Sequence, residues 1–275
     1  MSAPVLSPAE QRLQKGFDAW HAARASTDLV SSLYAEAMGD AHPSEVGAFS
    51  SCDWTVLGTL VGRLHMRPGQ VLVDIGCGTG GVGLWLSRAL AVRLVGIDIS
   101  STAVAAAATR RSHFVTPDQA TFRVGTLKAS GLRDGAAHGV VCVDALGFAP
   151  DRAAALREIH RILQPGARAV LTRALSRAAD PAAEAAAAGF HVEHIDERPD
   201  EPAMWRRLYR LWIAHETDLR RELGELQTLS MLSEAARMLP RLAERRAIVL
   251  TLRRPAPARP ADKVHPTSGA EGETG

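Results

Sequence analysis

Apolar positions along the chain follow two different periods. Through residues 7–66 they recur at roughly helical spacing, as at Phe17, Trp20, Leu29, Leu33 and Tyr34. Ser7-Pro8-Ala9-Glu10 predicts the first helix start: a hydroxyl N-cap, a proline just inside and an acid in the first turn. GDAHPSEVGAFSS predicts a loop, and CDWTVLGTLVGRLHM a further helix that stops at Arg67-Pro68-Gly69. Residues 1–67 are thereby set off as a helical N-terminal lid.

Beyond that point the period shortens. β-Branched runs at 71–75, 93–97, 121–124, 140–143 and 167–172 alternate with helical patterns at 81–91, 102–111 and 151–163. Strands alternating with helices predict an α/β fold with a parallel sheet covered on both faces. DPAAEAAAAGF then predicts a helix closed by Gly189, HVEHIDERP a strand and RRAIVLTLRRP a last strand. Between those two strands lies a charged helical segment at about 202–244, where a short turn would suffice. It reads as a helical cap inserted into a domain spanning 68–254. Residues 255–275 are rich in proline and glycine and nearly free of large apolar side chains, and are expected to be a disordered tail.

Composition narrows the function classes. A formal charge of +2 gives no electrostatic reason for a nucleic-acid or membrane partner. Cys52, Cys77 and Cys142 form no C-x-x-C pair, which argues against a structural zinc site or a disulfide framework. No histidine spacing favours a metal. With no apolar signal segment and no apolar run near the roughly 20 residues needed to span a bilayer, the expectation is a soluble, cytoplasmic protein.

The candidate chemistry lies in VLVDIGCGTGGVG, which has two readings. Gly76, Gly78 and Gly81 spell G-x-G-x-x-G, a dinucleotide turn; Asp74, Gly76, Gly78 and Gly80 spell D-x-G-x-G-x-G. A carboxylate at Asp74 would repel a pyrophosphate but suits a ligand carrying an ammonium group. Asp98, at the end of the next strand, can accept both hydroxyls of a ribose in either ligand class. The long helical stretch before the first strand weighs against a dinucleotide fold.

VLVDIGCGTGGVG, LVGIDIS and LREIHRILQPGARAVLT, in that order, resemble the class I S-adenosylmethionine-dependent methyltransferases over about 70–172. More distantly, the chain is similar to small-molecule methyltransferases of bacterial secondary metabolism. The resemblance implies a Rossmann-like, seven-stranded, mostly parallel sheet and S-adenosyl-L-methionine as cofactor. It places the donor on Asp74, Gly76, Gly78, Thr79 and Gly80, its ribose on Asp98 and its adenine beside Ile99. The backbone of Gly125, Thr126 and Leu127 would read the adenine edge. Many relatives have Gly-Asp where this chain has Gly125-Thr126, which implies either a modest affinity for the cofactor or a substitute acid at Asp118 or Asp134. Tyr34, Phe49, Ser50 and Ser51 would close over the methionine end.

Asp144 ends the fourth strand and has two readings: a catalytic carboxylate that orients or deprotonates the nucleophile, or a cap for the next turn. Phe49, Phe148, Trp205 and Tyr209 are expected in the acceptor pocket. The aromatic spacing in the insertion also suits core packing or a homodimer contact through the helical segments. The implied activity is methyl transfer to a small, largely apolar metabolite such as a bacterial natural product. The chain lacks the N/D-P-P-Y/F motif used on nucleobase amines and a basic groove with interleaved aromatics. A nicotinamide-dependent oxidoreductase and a non-catalytic binding protein of the same fold remain as alternatives.

Overall fold

The computed structural model describes residues 6–256, so the expectation of a disordered tail falls almost wholly outside the described residues. Helix α1 (Pro8–Ala25) starts as its sequence predicts: the Glu10 amide donates to Ser7 Oγ at 3.4 Å, and the Ser7 amide donates to the Glu10 carboxylate at 3.0 Å. This reciprocal pair satisfies two donors that a helix start leaves open. Helices α2 (Leu29–Met38) and α3 (Trp54–Leu64) follow, the latter capped by Asp53, which accepts from the Val56 amide at 2.7 Å.

Seven strands then form one sheet: β1 (Val71–Ile75), β2 (Arg93–Asp98), β3 (Ala120–Val124), β4 (Ala137–Cys142), β5 (Leu163–Ser176), β6 (His191–Glu197) and β7 (Arg245–Arg253). Their order is β3-β2-β1-β4-β5-β7-β6, with β7 antiparallel to both its neighbours and the other pairings parallel. Helices α4 (Gly81–Leu90), α5 (Ser101–Arg110), α6 (Arg152–Ile162) and α7 (Pro181–Ala187) link the strands. Side chains of β1 alternate between faces, so Val73 and Ile75 pack with Ile159 in one core while Leu72 packs with Leu57 and Leu84 in the other. Burial on both faces explains why these strands read as nearly continuous apolar runs.

Strand β5 is longer than the 167–172 expected. Its start is drawn back because Leu163 pairs with Ala137 across an irregularity in β4, and its end is extended by antiparallel pairing as far as Ser176 with Arg245. The insertion forms α8 (Glu201–Ala214), α9 (Glu216–Leu223) and α10 (Glu225–Met238). Leu208, Tyr209 and Trp212 of α8 are buried with Val30, Leu33 and Tyr34 of α2, so the aromatic stripe packs within the chain. No helix among the described residues is long and apolar enough to cross a membrane.

Candidate functional site

A cavity of about 820 Å³ lies at the carboxyl ends of β1, β2 and β4 and is also lined by α1, α2, α8 and α10. Its floor is the glycine loop after β1. The amides of Gly76 and Cys77 both donate to the Ile97 carbonyl of β2, at 2.7 and 3.0 Å, which folds the loop back against the neighbouring strand. At Gly76 the backbone has φ +78°, and a Cβ there would stand 2.3 Å from the Ala145 methyl; no larger residue fits. Arg110 pins the loop from above, donating to Thr79 Oγ1 at 3.0 Å and to the Val46 carbonyl at 2.8 Å.

Two acids differ sharply in how their oxygens are used. Asp98 Oδ2 accepts from the Gly78 amide at 2.8 Å and its Oδ1 from the Ser100 amide at 2.9 Å. It therefore shapes the loop as well as lining the cavity. Asp74 is 2% exposed, lines the same cavity, and its Oδ2 has no hydrogen-bond partner. Burial, reinforced by the negative charge of Asp98, raises its pKa to about 7. Its Oδ2 packs against Gly83 of α4, and a carboxylate bordering the cavity with a raised pKa suits the ammonium group of an amino-acid tail, as S-adenosylmethionine carries.

That raised pKa has a readable consequence. The folded empty protein holds a proton on Asp74 that the unfolded chain releases near pH 3.8, so this stabilising contribution is complete below that value and lost as pH rises through about 7. A bound ammonium favours the carboxylate and reverses the preference. Affinity for S-adenosylhomocysteine should rise from about pH 5.5 to about 7.5, by up to about tenfold per unit where binding expels the proton. Calorimetry across that range checks this: Asp74→Asn should flatten the profile, and a flat profile in the unaltered protein would contradict it.

Of the residues singled out in the sequence, Asp74, Gly76, Gly78, Thr79, Asp98, Ile99, Gly125, Thr126 and Leu127 all line the cavity. Tyr34, Phe49, Phe148, Trp205 and Tyr209 join them on the helical side. There Tyr34 meets Phe49 and Trp205 edge-on at 5.9 and 6.2 Å, and Trp205 stacks on Tyr209 at 5.4 Å. Trp20 of α1 adds an edge contact to Phe49 at 5.4 Å.

Four expectations need correction. Gly80 does not line the cavity; a Cβ on it would meet the Ala107 methyl at 2.9 Å and the Phe122 ring at 3.0 Å, so its role is to let α4 begin against α5 and β3. Ser51 is buried outside the lining, donating from Oγ to Asp144 and accepting from Arg198. Asp144 does face the cavity, but its carboxylate is already engaged: Oδ2 accepts from the Ser51 amide at 2.6 Å and Ser51 Oγ at 2.7 Å, and Oδ1 accepts from Thr172 Oγ1 at 2.7 Å. It clasps the loop before α3 to β5 instead of standing free as a base. Asp118 and Asp134 are exposed, paired with Thr116 and Arg161, and neither reaches the cavity. In place of an acid the adenine side offers Thr126, whose buried Oγ1 has no partner.

Sequence reasoning missed His21 and Arg24 on α1 and Glu234 on α10, all of which line the cavity. Burial, then the charge of Arg24, lowers His21 to a pKa of about 4, so it is neutral beside Gly78 at physiological pH. A signal was available: His21 and Arg24 fall on the same helical face as Phe17. Helix α1 is held over the donor side by Asp18, which accepts from Ser100 Oγ at 2.6 Å and the Thr102 amide at 3.0 Å, and by Gln14, which donates to the Ile99 carbonyl at 2.9 Å.

Residues 73–171 match the model of the family described as "Methyltransferase domain". The chain is 28% identical over 168 residues to a 27-O-demethylrifamycin SV methyltransferase of Amycolatopsis mediterranei, covering 61% of this chain and 60% of that one. It thus spans about 60% of the length of the curated relatives that head the comparison. Among solved structures, the [4+2]-cyclase SpnF aligns with a TM-score of 0.72 at 19% identity, covering 94% of this chain and 100% of that one. A SAM-dependent methyltransferase from Geobacter sulfurreducens in complex with S-adenosyl-L-homocysteine aligns with a TM-score of 0.57 at 21% identity, over 80% and 97% of the two chains. Likeness at such identities shows the fold; a cyclase among the matches means that the reaction must be argued from the site.

Proposed function

We propose that the chain is a class I S-adenosylmethionine-dependent methyltransferase that transfers a methyl group to a small, largely apolar metabolite by in-line displacement, a reading supported by the methyltransferase-domain match over residues 73–171 and by the rifamycin relative. The observation that carries this reading is one continuous cavity, lined on one side by Asp74, Gly76, Gly78 and Asp98 and on the other by Tyr34, Phe49, Trp205 and Tyr209. Two molecules can meet there out of water. Bound in the first half, the cofactor supplies a methyl carbon already activated by its sulfonium.

The residues then have a limited task. Asp74 holds the ammonium group, Asp98 the ribose hydroxyls, and Thr126 with the backbone of Leu127 faces the adenine edge. The aromatic wall excludes water and orients the acceptor; positioning of this kind can lower a barrier by about 7–11 kcal/mol. Since the Asp144 carboxylate is engaged by Ser51 and Thr172, the acceptor must arrive nucleophilic, without deprotonation by that group. The name of the rifamycin relative supports an acceptor of the natural-product class.

Incubation with donor labelled in its methyl group and a bacterial small-molecule extract tests the proposal. Label should move into a small molecule while S-adenosylhomocysteine accumulates. Binding of the donor with no transfer to any small molecule would favour a non-catalytic role.

A further inference from the structure

We propose that the helical half of the cavity is an oxyanion-recognising acceptor site whose receptor is the guanidinium of Arg24, so that the acceptor carries one acidic oxygen, a carboxylate or an ionised phenol or enol, on an apolar body. This rests on the methyl-transfer reading only in taking the occupant of that half to be the acceptor.

Arg24 is 4% exposed and lines the cavity, yet among the described residues no carboxylate pairs with it. Its Nε has no partner, and its one hydrogen bond runs from Nη1 to the Trp20 carbonyl at 3.3 Å. Two other arginines of the cavity lining are treated differently: buried Arg173 pairs with Glu184 at 2.9 Å, and half-buried Arg245 pairs with Glu201. A guanidinium taken from water without a counterion costs stability. Such a group is retained where a ligand completes it.

Its placement points to the acceptor and not to the donor's tail. The acidic groups that act on Arg24 are Tyr34 and Glu234, on the helical side, whereas the acid acting on Asp74 is Asp98, on the glycine-loop side; Arg24 in turn acts on His21, one turn back on α1 and beside Gly78. Burial draws the Arg24 pKa down to about 10, which leaves it cationic at neutral pH. The guanidinium carbon sits 3.7 Å from the centre of the Trp20 ring, which fixes the plane of its donor fork. The Phe49 ring, 5.9 Å from the guanidinium carbon and also in the cavity lining, offers a surface for the apolar body. Glu234, held by the Tyr209 hydroxyl at 3.0 Å, adds negative charge that disfavours a doubly charged phosphate and suits a single oxyanion.

The test uses the full chain saturated with S-adenosylhomocysteine and two matched probes, 2-naphthoate and 2-naphthamide, followed by calorimetry. The naphthoate should bind at least about tenfold more tightly than the neutral amide, the worth of a charged hydrogen bond. Arg24→Gln should erase that preference, leave S-adenosylhomocysteine affinity within about twofold, and melt at the same temperature or higher because an uncompensated buried charge is gone. Arg24→Lys, which keeps the charge but not the fork, should retain part of the preference. Equal or absent binding of both probes by the unaltered protein would overturn the proposal. So would a loss of S-adenosylhomocysteine affinity in Arg24→Gln that spares 5′-methylthioadenosine, which lacks the amino-acid tail; Arg24 would then serve the donor's carboxylate. These binding readouts do not depend on turnover, so a failure of methyl transfer alone would leave them standing.

Discussion

Asp98→Ala is expected to raise the dissociation constant for S-adenosylhomocysteine by about 100-fold or more. Two losses combine. The ribose gives up two hydrogen bonds to a carboxylate, each worth roughly 1.5–3 kcal/mol, and the glycine loop gives up the anchor at the Gly78 amide, 2.8 Å from Asp98 Oδ2. The Ser100 amide, buried and 2.9 Å from Oδ1, is also left without its acceptor, so a lower melting temperature should accompany the change. Asp98→Asn, which keeps one acceptor oxygen, should fall between the two. Calorimetry showing an affinity within about threefold of the unaltered protein would remove Asp98 from the donor site.

The second large effect concerns Asp144. Asp144→Ala leaves the buried Ser51 amide and the buried Thr172 hydroxyl without their shared acceptor, at about 1–3 kcal/mol for each orphaned group. A total near 3 kcal/mol lowers the melting temperature by roughly 6–12 °C in a chain of this size. The cost falls on the cavity wall too, since Ser51 continues the loop that carries Phe49 and is held from the other side by Arg198 Nη1 at 2.9 Å. Asp144→Asn separates this clasp from a catalytic base. Asparagine can still accept from Ser51 and tolerates the backbone φ of +52° at this position. Its stability should stay within about 1 kcal/mol and its turnover within about tenfold, whereas a positioned base would lose roughly 10²–10⁴-fold. Normal melting with a thousandfold slower reaction would restore the base assignment.

How far the sequence disclosed this arrangement depended on the range of the interaction. Ser7 and Glu10 announce the start of α1 because both partners lie within one turn, and central strands such as β1 and β4 announce themselves because burial on both faces leaves a mostly apolar run. Asp74, Gly76 and Gly78 were legible for the same reason: one tight turn fixes all of them. Asp144 was ambiguous because its partners Ser51 and Thr172 stand 93 and 28 residues away, and no local pattern shows that its oxygens are already taken. Gly80 looked like part of the ligand loop, but its neighbours Ala107 and Phe122 come from later elements. Arg24 and His21 lie on a mostly polar helix, and the face they share with Phe17 does not by itself show that they are buried. The α1 face carrying Phe17 becomes a cavity wall through distant contacts, the docking of Asp18 and Gln14 on the region after β2 and the packing of the inserted α8 on α2.

Donor and acceptor should meet in one cavity between the glycine loop and the inserted helices. A crystal structure of the protein soaked with S-adenosylhomocysteine tests it most directly. Ribose hydroxyls are expected on Asp98, the tail ammonium on the Asp74 carboxylate, and the sulfur facing the space bounded by Tyr34, Phe49 and Trp205. A sulfur turned away from that wall, or an ammonium group out of reach of Asp74, would contradict it.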